Sequence, residues 1–436
     1  MATLEDPLHA IGFDLDHTLI RYKLEPFMKM IYESIALHMV HDFGYDERLL
    51  QFDDDLMDFC FKGNFLDRNR GNFLKVADNG YIIRACHGSK LMSDDELATT
   101  YGKERIFPYF ADVKDTYDYS NMCYFFDGYY EIPTSAIAAR LIDFVDAKKE
   151  RKAPYKIWGN IQNSVFKVFF YKNFKEHTCR FFKLLFTEPE KYAERCSDKL
   201  VNYLKSLKQR GKKLFIITYS TVETATLMLD YILGPDTWRE LFDIVVVDAK
   251  KPDNDKDEKI PFNEKWSEHG VYIGGHCSRL LEFLSSSTGE ENPNVMYFGD
   301  SIRSDIVGPK KFLNWTCGAI IDELGPVAFP DSQDESRKKV VSSKRWGSFF
   351  YDSPNCTSDS DDNLDSIRTC EWNTFWANGI KKYADFCIPS LQYFVVNLCL
   401  YANNIYPTLC PYSSYKDNPK SSIAEYPPHQ WPNASS

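Results

Sequence analysis

The segment GFDLDHTL, residues 12 to 19, closes an apolar run with two carboxylates two positions apart, Asp14 and Asp16, and a hydroxyl at Thr18. In an extended strand residues i and i+2 face the same side, so both acids are expected at one ligand site where the strand stops. Neighbouring carboxylates repel unless a proton or a cation stands between them. A hard divalent ion such as Mg²⁺, which takes oxygen ligands, is the usual remedy. If one acid attacks phosphorus and the other hands a proton to the leaving oxygen, the pair supplies a covalent nucleophile and a general acid. Two solvated aspartates at a strand-end turn would look the same in isolation, so the reading depends on what other strand ends offer.

Three later runs offer complementary groups. KLFIITYS (213 to 220) ends in the hydroxyls of Thr218 and Ser220 around Tyr219, suited to bond a phosphoryl oxygen. FDIVVVDAKKP places Lys250 and Lys251 just beyond an apolar run, where an ammonium can neutralise charge developing on a phosphoryl group. NVMYFGDSIRSDI supplies Asp300 as a metal ligand and Asp305, five residues on, as a group that orients its neighbours from behind. Acid, hydroxyl, lysine, acid, in that order along the chain, is one coherent set.

The elements that must position these groups are continuous apolar runs at 9–16, 213–220, 242–249, 294–300 and 316–322, with helical patterns at 197–211 and 220–234 between them. That alternation predicts an α/β fold with a parallel sheet covered on both faces. About 200 residues separate the first run from the second, far more than a crossover needs, so a separate domain is inserted there. The insert, 24–195, reads as mainly helical, with a small β element in GNFLKVADNGYIIRA whose Asn79-Gly80 marks a hairpin turn. It leaves and rejoins the sheet beside the first strand's carboxyl end, which predicts a lid over the site. The division expected is a core of 1–23 with 196–325, the insert, a polar linker at 326–370 whose aromatic patch KRWGSFFYDS docks on the protein's own body, a helical extension at 371–410 and a disordered tail at 411–436.

A formal net charge of −11 argues against non-specific binding to nucleic acid or to anionic membranes. No basic and apolar leader opens the chain and no run has the uninterrupted apolar length of a membrane span, so a cytoplasmic protein is expected. Twelve cysteines without a CxxC pair predict buried thiols, with neither a zinc site nor a disulfide framework. The acidic run DNDKDEKIPFNE (253–264) fails as a calcium loop, because Glu258 stands where glycine is needed and Pro261 interrupts it. His87 and His276 read as structural histidines.

Taken together, DLDHT, ITYS, AKKP and GDSIRSD resemble the motif set of the haloacid-dehalogenase (HAD) superfamily, phosphatases that form an aspartyl phosphate with Mg²⁺ on a Rossmann-like sheet. GFDLDHTL, RGNFLKVADNG, FDIVVVDAKKP and VYIGGHCSRLLEFL are more specifically similar to the cytosolic purine 5′-nucleotidase family, over most of residues 9–350. The resemblance implies a HAD-like Rossmannoid parallel sheet with a large cap inserted after the first strand. It implies Asp14 as nucleophile and metal ligand, Asp16 as general acid and base giving its carbonyl to Mg²⁺, and Asp300 as the remaining protein ligand. Thr218 and Ser220, with Tyr219 between them, would hold the substrate, and Lys251 rather than Lys250 would stabilise the phosphoryl group. The implied partner is a small phosphate monoester, a nucleoside 5′-monophosphate first, and a homo-oligomer is left open. A non-nucleotide phosphatase, or a low-activity scaffold on the same fold, are the alternatives. The chain departs from the family pattern at Tyr219, where the purine nucleotidases have asparagine, and at Tyr130-Glu131-Ile132-Pro133, where they have Phe-Asn before Leu-Pro. The Arg, Asp and His set that reads the purine has no counterpart in GNIQNSVFKVFFYKN.

Overall fold

The computed structural model describes residues 7–117, 122–148, 155–169, 179–251, 263–265, 271–274, 277–325, 335–352 and 372–396. The acidic run at 253–262, His276, the 353–370 part of the linker and the tail at 411–436 lie outside the described residues. The chain divides into two compact units, Met1–Tyr22 with Ala193–Pro330 and Gly379–Ser436, and Lys23–Tyr192 with Asp331–Asn378.

The first unit is built on an eight-stranded sheet in the order Asn263–Lys265, Val271–Ile273, Ile244–Val247, Lys213–Ile217, Ala10–Phe13, Val295–Gly299, Thr316–Ile320, Phe386–Ile388. All neighbours pair in parallel except the edge strand Asn263–Lys265. The strand Ala10–Phe13 is buried throughout, as are Ile244–Val247 and Val295–Gly299, which is why they read as unbroken apolar runs rather than alternating ones. The chain steps outward from Ala10–Phe13 through four strands on one side. It then returns to place Val295–Gly299 on the other side of that first strand. This reversal leaves a crevice at the carboxyl ends of the central strands, the usual ligand position in open α/β sheets.

Gly12 lies in register with Phe215 on one side and Tyr297 on the other. A Cβ at Gly12 would come within 2.1 Å of the Phe215 ring, so only glycine lets that ring lie across the first strand. Phe215 and Tyr297 are thereby nearly parallel, centroids 6.2 Å apart at 14°. The helices expected between strands form at Asp198–Gln209, burying Leu200, Leu204 and Leu207, and at Val222–Leu233. Each is opened by a hydroxyl cap: the Ser197 side chain accepts from the Leu200 N–H, and Thr221 accepts from the Thr224 N–H. The extension after residue 371 supplies more than helix, because Phe386–Ile388 joins the sheet as its last strand.

The second unit contains more β structure than its sequence suggested. Five antiparallel strands run in the order Lys90–Leu91, Ile82–His87, Asn72–Val76, Asn64–Asp67, Cys123–Phe126, beside helices Leu24–Phe43, Ile132–Ala147, Trp158–Phe169 and Arg180–Thr187. Asn64–Asp67 and Asn72–Val76 are buried at every residue, so they show no two-residue alternation and are hard to tell from pieces of buried helix. The hairpin at Asn79-Gly80 forms, with Gly80 at φ 89° and the Ala77 N–H donating to the Tyr81 carbonyl at 2.8 Å.

Residues 335–352, polar enough to read as linker, belong to this unit. Trp346 is fully buried, meets Phe59 edge-on at 5.7 Å and donates its indole N–H to the Phe59 carbonyl at 3.0 Å. Asp352 accepts from Lys75 at 2.7 Å and from Arg84 at 2.7 and 3.0 Å, with Lys75 also donating to the Trp346 and Ser348 carbonyls. His87 is satisfied on both nitrogens, by Asn72 and Asp146 at 2.7 Å each. Cys60, Cys86, Cys123, Cys179, Cys317 and Cys387 are free and buried, and Cys196 is free and half-buried. Among the described residues no helix is long and apolar enough to cross a membrane.

Candidate active site

The carboxyl ends of the central strands gather the groups singled out in the sequence. Asp14 directly follows the first strand, and its N–H donates to the Phe298 carbonyl at 2.8 Å, one step beyond the regular ladder. Extended pairing stops at Phe13 and the chain then turns back, with the Ile20 N–H bonded to the Leu15 carbonyl at 2.9 Å and His17 at a φ of 54°. The two-residue alternation of a strand therefore does not govern Asp16. Its carboxylate has partners of its own: the Ser220 hydroxyl on Oδ2, and the Tyr22 hydroxyl on Oδ1 at 2.7 Å.

The second strand ends in Thr218, which is buried, and its hydroxyl accepts from the Ser220 N–H at 3.1 Å. The third strand is tied to the same end, the Ala249 N–H donating to the Thr218 carbonyl and the Asp248 N–H to the Ser220 carbonyl, each at 2.9 Å. Asp248 has a φ of 47°, a sharp local turn just before the lysine pair. Lys250 is exposed, whereas Lys251 is buried and donates to Asp14 Oδ1 at 2.6 Å and to Asp305 Oδ1 at 2.7 Å. Tyr219 is 49 % exposed, with its ring centroid 5.2 Å from the Lys251 ammonium.

Asp300 ends the Val295–Gly299 strand, and a π-helical turn, Ile302–Val307, brings Asp305 back towards it. Gly299 makes that return fit, since a Cβ there would stand 2.3 Å from the Asp305 Cβ. Both Asp305 oxygens are engaged: Oδ1 by Lys251 and by the Tyr297 hydroxyl at 3.2 Å, Oδ2 by the Ser301 N–H at 3.0 Å. Tyr297, which sequence reasoning did not single out, also reaches the Ile217 carbonyl at 3.2 Å and so links the ends of two strands beneath the site. Its only sequence signal was a polar tip inside an otherwise apolar run. Tyr22, between Arg21 and Lys23, carried no such signal.

Asp14, Asp300 and Asp305 can each offer an oxygen within 4.8 Å of the others; the Asp16 carboxylate is not in this group. Of the acids named beforehand as metal ligands, the structure thus brings Asp14 and Asp300 together by their side chains and adds Asp305. Burial pushes the Asp14 carboxyl up to about 7; Lys251 opposes the shift, while the charges of Asp305 and Asp16 add to it. Burial would lower the Lys251 pKa, but Asp14 and Asp305 outweigh it and hold the ammonium above its ordinary range. Of these three buried or nearly buried acids, Asp14 and Asp305 share the Lys251 ammonium. The surplus negative charge and the all-oxygen donor set suit a hard divalent cation.

The 5′ nucleotidase family model matches residues 4–341. The chain belongs to the 5′-nucleotidase family. This member of the family is similar to 5′-nucleotidase domain-containing protein 1 of Bos taurus, 34 % identical over 411 residues, covering 88 % of each chain. The protein of that name from Homo sapiens is 34 % identical over 414 residues, with the same coverage. More distantly, 5′-nucleotidase domain-containing protein 2 of Rattus norvegicus is 26 % identical over 328 residues, 72 % of this chain and 56 % of the relative. Within this member of the family, Asp14, Asp16, Thr218, Tyr219, Ser220, Lys251, Asp300 and Asp305 all fall in the first unit.

Proposed function

We propose that this 5′-nucleotidase-family chain hydrolyses phosphate monoesters, nucleoside 5′-monophosphates first among them, through a phosphoryl group carried on Asp14. The observation that carries this reading is the Lys251 ammonium bonded at once to Asp14 and Asp305, beside Asp300. Asp14 and Asp300, with the Asp16 backbone carbonyl, would hold Mg²⁺, which when bound neutralises charge on the phosphoryl oxygens. Lys251 fixes the Asp14 carboxylate and adds positive charge at the place where it is needed in the transition state. Asp305, held by Tyr297 and Ser301, keeps Lys251 from swinging away.

The Asp14 carboxylate attacks phosphorus, and the bond to the ester oxygen breaks. Asp16 gives that oxygen its proton, so the leaving group departs as an alcohol. Asp16 then takes a proton from water as the water oxygen attacks the same phosphorus, the bond to Asp14 breaks, and inorganic phosphate leaves. Ser220 and Tyr22 hold Asp16 in one orientation for both transfers. Thr218 stands at the strand end next to these acids; its hydroxyl accepts from the Ser220 N–H and keeps its own proton for a phosphoryl oxygen.

The test is phosphate release by the full chain with Mg²⁺ from a panel of nucleoside and non-nucleoside monophosphates. Turnover of nucleotides that disappears in Asp14→Asn is expected. Brisk hydrolysis confined to non-nucleotide esters would keep the mechanism and replace the substrate; the exposed Tyr219 ring beside Lys251 is the feature that favours that second reading. No turnover of any ester, with Mg²⁺ bound, would sink both.

A further inference from the structure

A lysine ammonium has three N–H groups and accepts nothing, so the partners of Lys251 can be followed one by one. One N–H goes to Asp14 Oδ1 at 2.6 Å and a second to Asp305 Oδ1 at 2.7 Å. The third partner is the face of the Tyr219 ring, whose centroid lies 5.2 Å from Nζ, within reach of a cation–π contact. Enclosed in this way the Lys251 side chain is 2 % exposed, whereas Tyr219 is 49 % exposed. The backbone on either side of Tyr219 is pinned, the Ser220 N–H donating to the Thr218 hydroxyl at 3.1 Å and the Asp248 N–H to the Ser220 carbonyl at 2.9 Å. Movement at this place is therefore rotation of the phenol ring on a fixed chain.

Hydrolysis through Asp14 asks Lys251 to meet a phosphoryl oxygen while it still holds the Asp14 carboxylate. An oxygen accepting from Nζ at about 2.8 Å on the side of the ring would stand about 2.4 Å from the ring centroid, well inside contact distance. Ring and phosphoryl oxygen thus compete for one N–H. We propose that Tyr219 is a cover on Lys251 that substrate and product must displace, so that it weakens the hold of the site on a phosphoryl group instead of adding a contact to it. The inference rests on the phosphoryl-transfer reading of this site. Its consequence is short retention of inorganic phosphate: the ring returns to the ammonium as the product leaves. The ring is turned aside alike in the bound ground state and in the transition state, so its influence falls on KM and not on kcat.

The test is calorimetric titration of the full chain, with Mg²⁺, by inorganic phosphate, beside steady-state kinetics on each ester that the chain hydrolyses. Tyr219→Ala binds phosphate about threefold to tenfold more tightly and lowers KM by the same factor for every ester, whatever the leaving group, with kcat unchanged. Tyr219→Phe, the conservative variant, keeps the ring face and restores the wild-type phosphate affinity. Melting temperatures show that the variants stay folded; should Tyr219→Ala melt early, Tyr219→Leu, which has no π face, gives a smaller shift in the same direction. Weaker phosphate binding or a raised KM in Tyr219→Ala would make the ring a substrate contact and overturns the proposal. Unchanged values overturn it as well, and so does a Tyr219→Phe that behaves like Tyr219→Ala. If neither wild type nor Tyr219→Ala binds phosphate or hydrolyses any ester, the phosphoryl-transfer reading falls and this inference with it. Turnover that needs Asp14, with phosphate bound no better by Tyr219→Ala, overturns this inference alone.

Discussion

At Asp14 one carboxyl group is asked to be buried, charged and nucleophilic at once. Burial, helped by the charges of Asp305 and Asp16 and opposed by Lys251 at 2.6 Å, pushes its pKa up to about 7 from an ordinary 3.8. Between those two values the native state holds a proton that the unfolded chain has released. The stability this contributes is present below 3.8 and lost as pH rises through about 7. Chelator-treated protein is therefore expected to show a melting temperature that falls between about pH 4 and pH 7, and saturating Mg²⁺ should flatten that slope. A slope that ignores Mg²⁺ would separate Asp14 from the metal. Asp14→Asn removes the attacking oxygen and should lower kcat on the order of 10⁴-fold with the fold intact by circular dichroism. A smaller role is expected of Tyr297: Tyr297→Phe loosens Asp305 and so Lys251, lowering kcat by about tenfold while KM holds, because a hydrogen bond to the Asp305 carboxylate is lost and no substrate contact.

The elements that present these residues are tied by close approach as much as by hydrogen bonds. Gly299 admits the Asp305 side chain over the last residue of a strand, so Gly299→Ala forces Asp305 aside. We expect a loss of about 1–3 kcal/mol in urea unfolding, with a fall in activity larger than at sites where only stability suffers. In the second unit the strap at 343–352 is secured by Asp352 on Lys75 and Arg84. Lys75 is 3 % exposed, so Asp352→Ala leaves a buried ammonium without its counter-ion and should cost about 3–5 kcal/mol. Lys75→Met combined with Asp352→Ala should recover part of that loss, since the stranded charge is then gone. If the double variant is no better than Asp352→Ala alone, the pair is not what holds the strap.

For the whole molecule, the division into two units confines the proposed chemistry to one of them. Every group proposed for phosphoryl transfer belongs to the first unit, and the five-stranded antiparallel sheet belongs to the second. A ligand stabilises the state it binds, by about 2.7 kcal/mol at a hundred times its dissociation constant. Mg²⁺ with orthovanadate, a phosphoryl mimic, should therefore slow hydrogen exchange in Ala10–Phe13, Lys213–Ile217 and Val295–Gly299 and leave the sheet of Asn64–Asp67 and Asn72–Val76 unchanged. Protection confined to the antiparallel sheet would move the phosphoryl site out of the first unit.

Read as a string of residues, this protein already declares its parallel strands, the order of acid, hydroxyl, lysine and acid, and an insert after Phe13. Each of these is local: a buried parallel strand is a short apolar run, and each functional group sits at such a run's end. What the string cannot declare is which distant groups touch. That Lys251 rather than Lys250 reaches Asp14 depends on the turn at Asp248 and the burial behind it. That Asp16 faces Ser220 and Tyr22, while Asp305 joins Asp14 and Asp300, depends on a strand that stops at Phe13 and a π-turn that folds back over Gly299. The five-stranded sheet and the strap on it were illegible for a related reason. Their residues are buried by partners tens to hundreds of positions away, and burial on both faces removes the periodicity by which a single stretch of sequence announces its own shape.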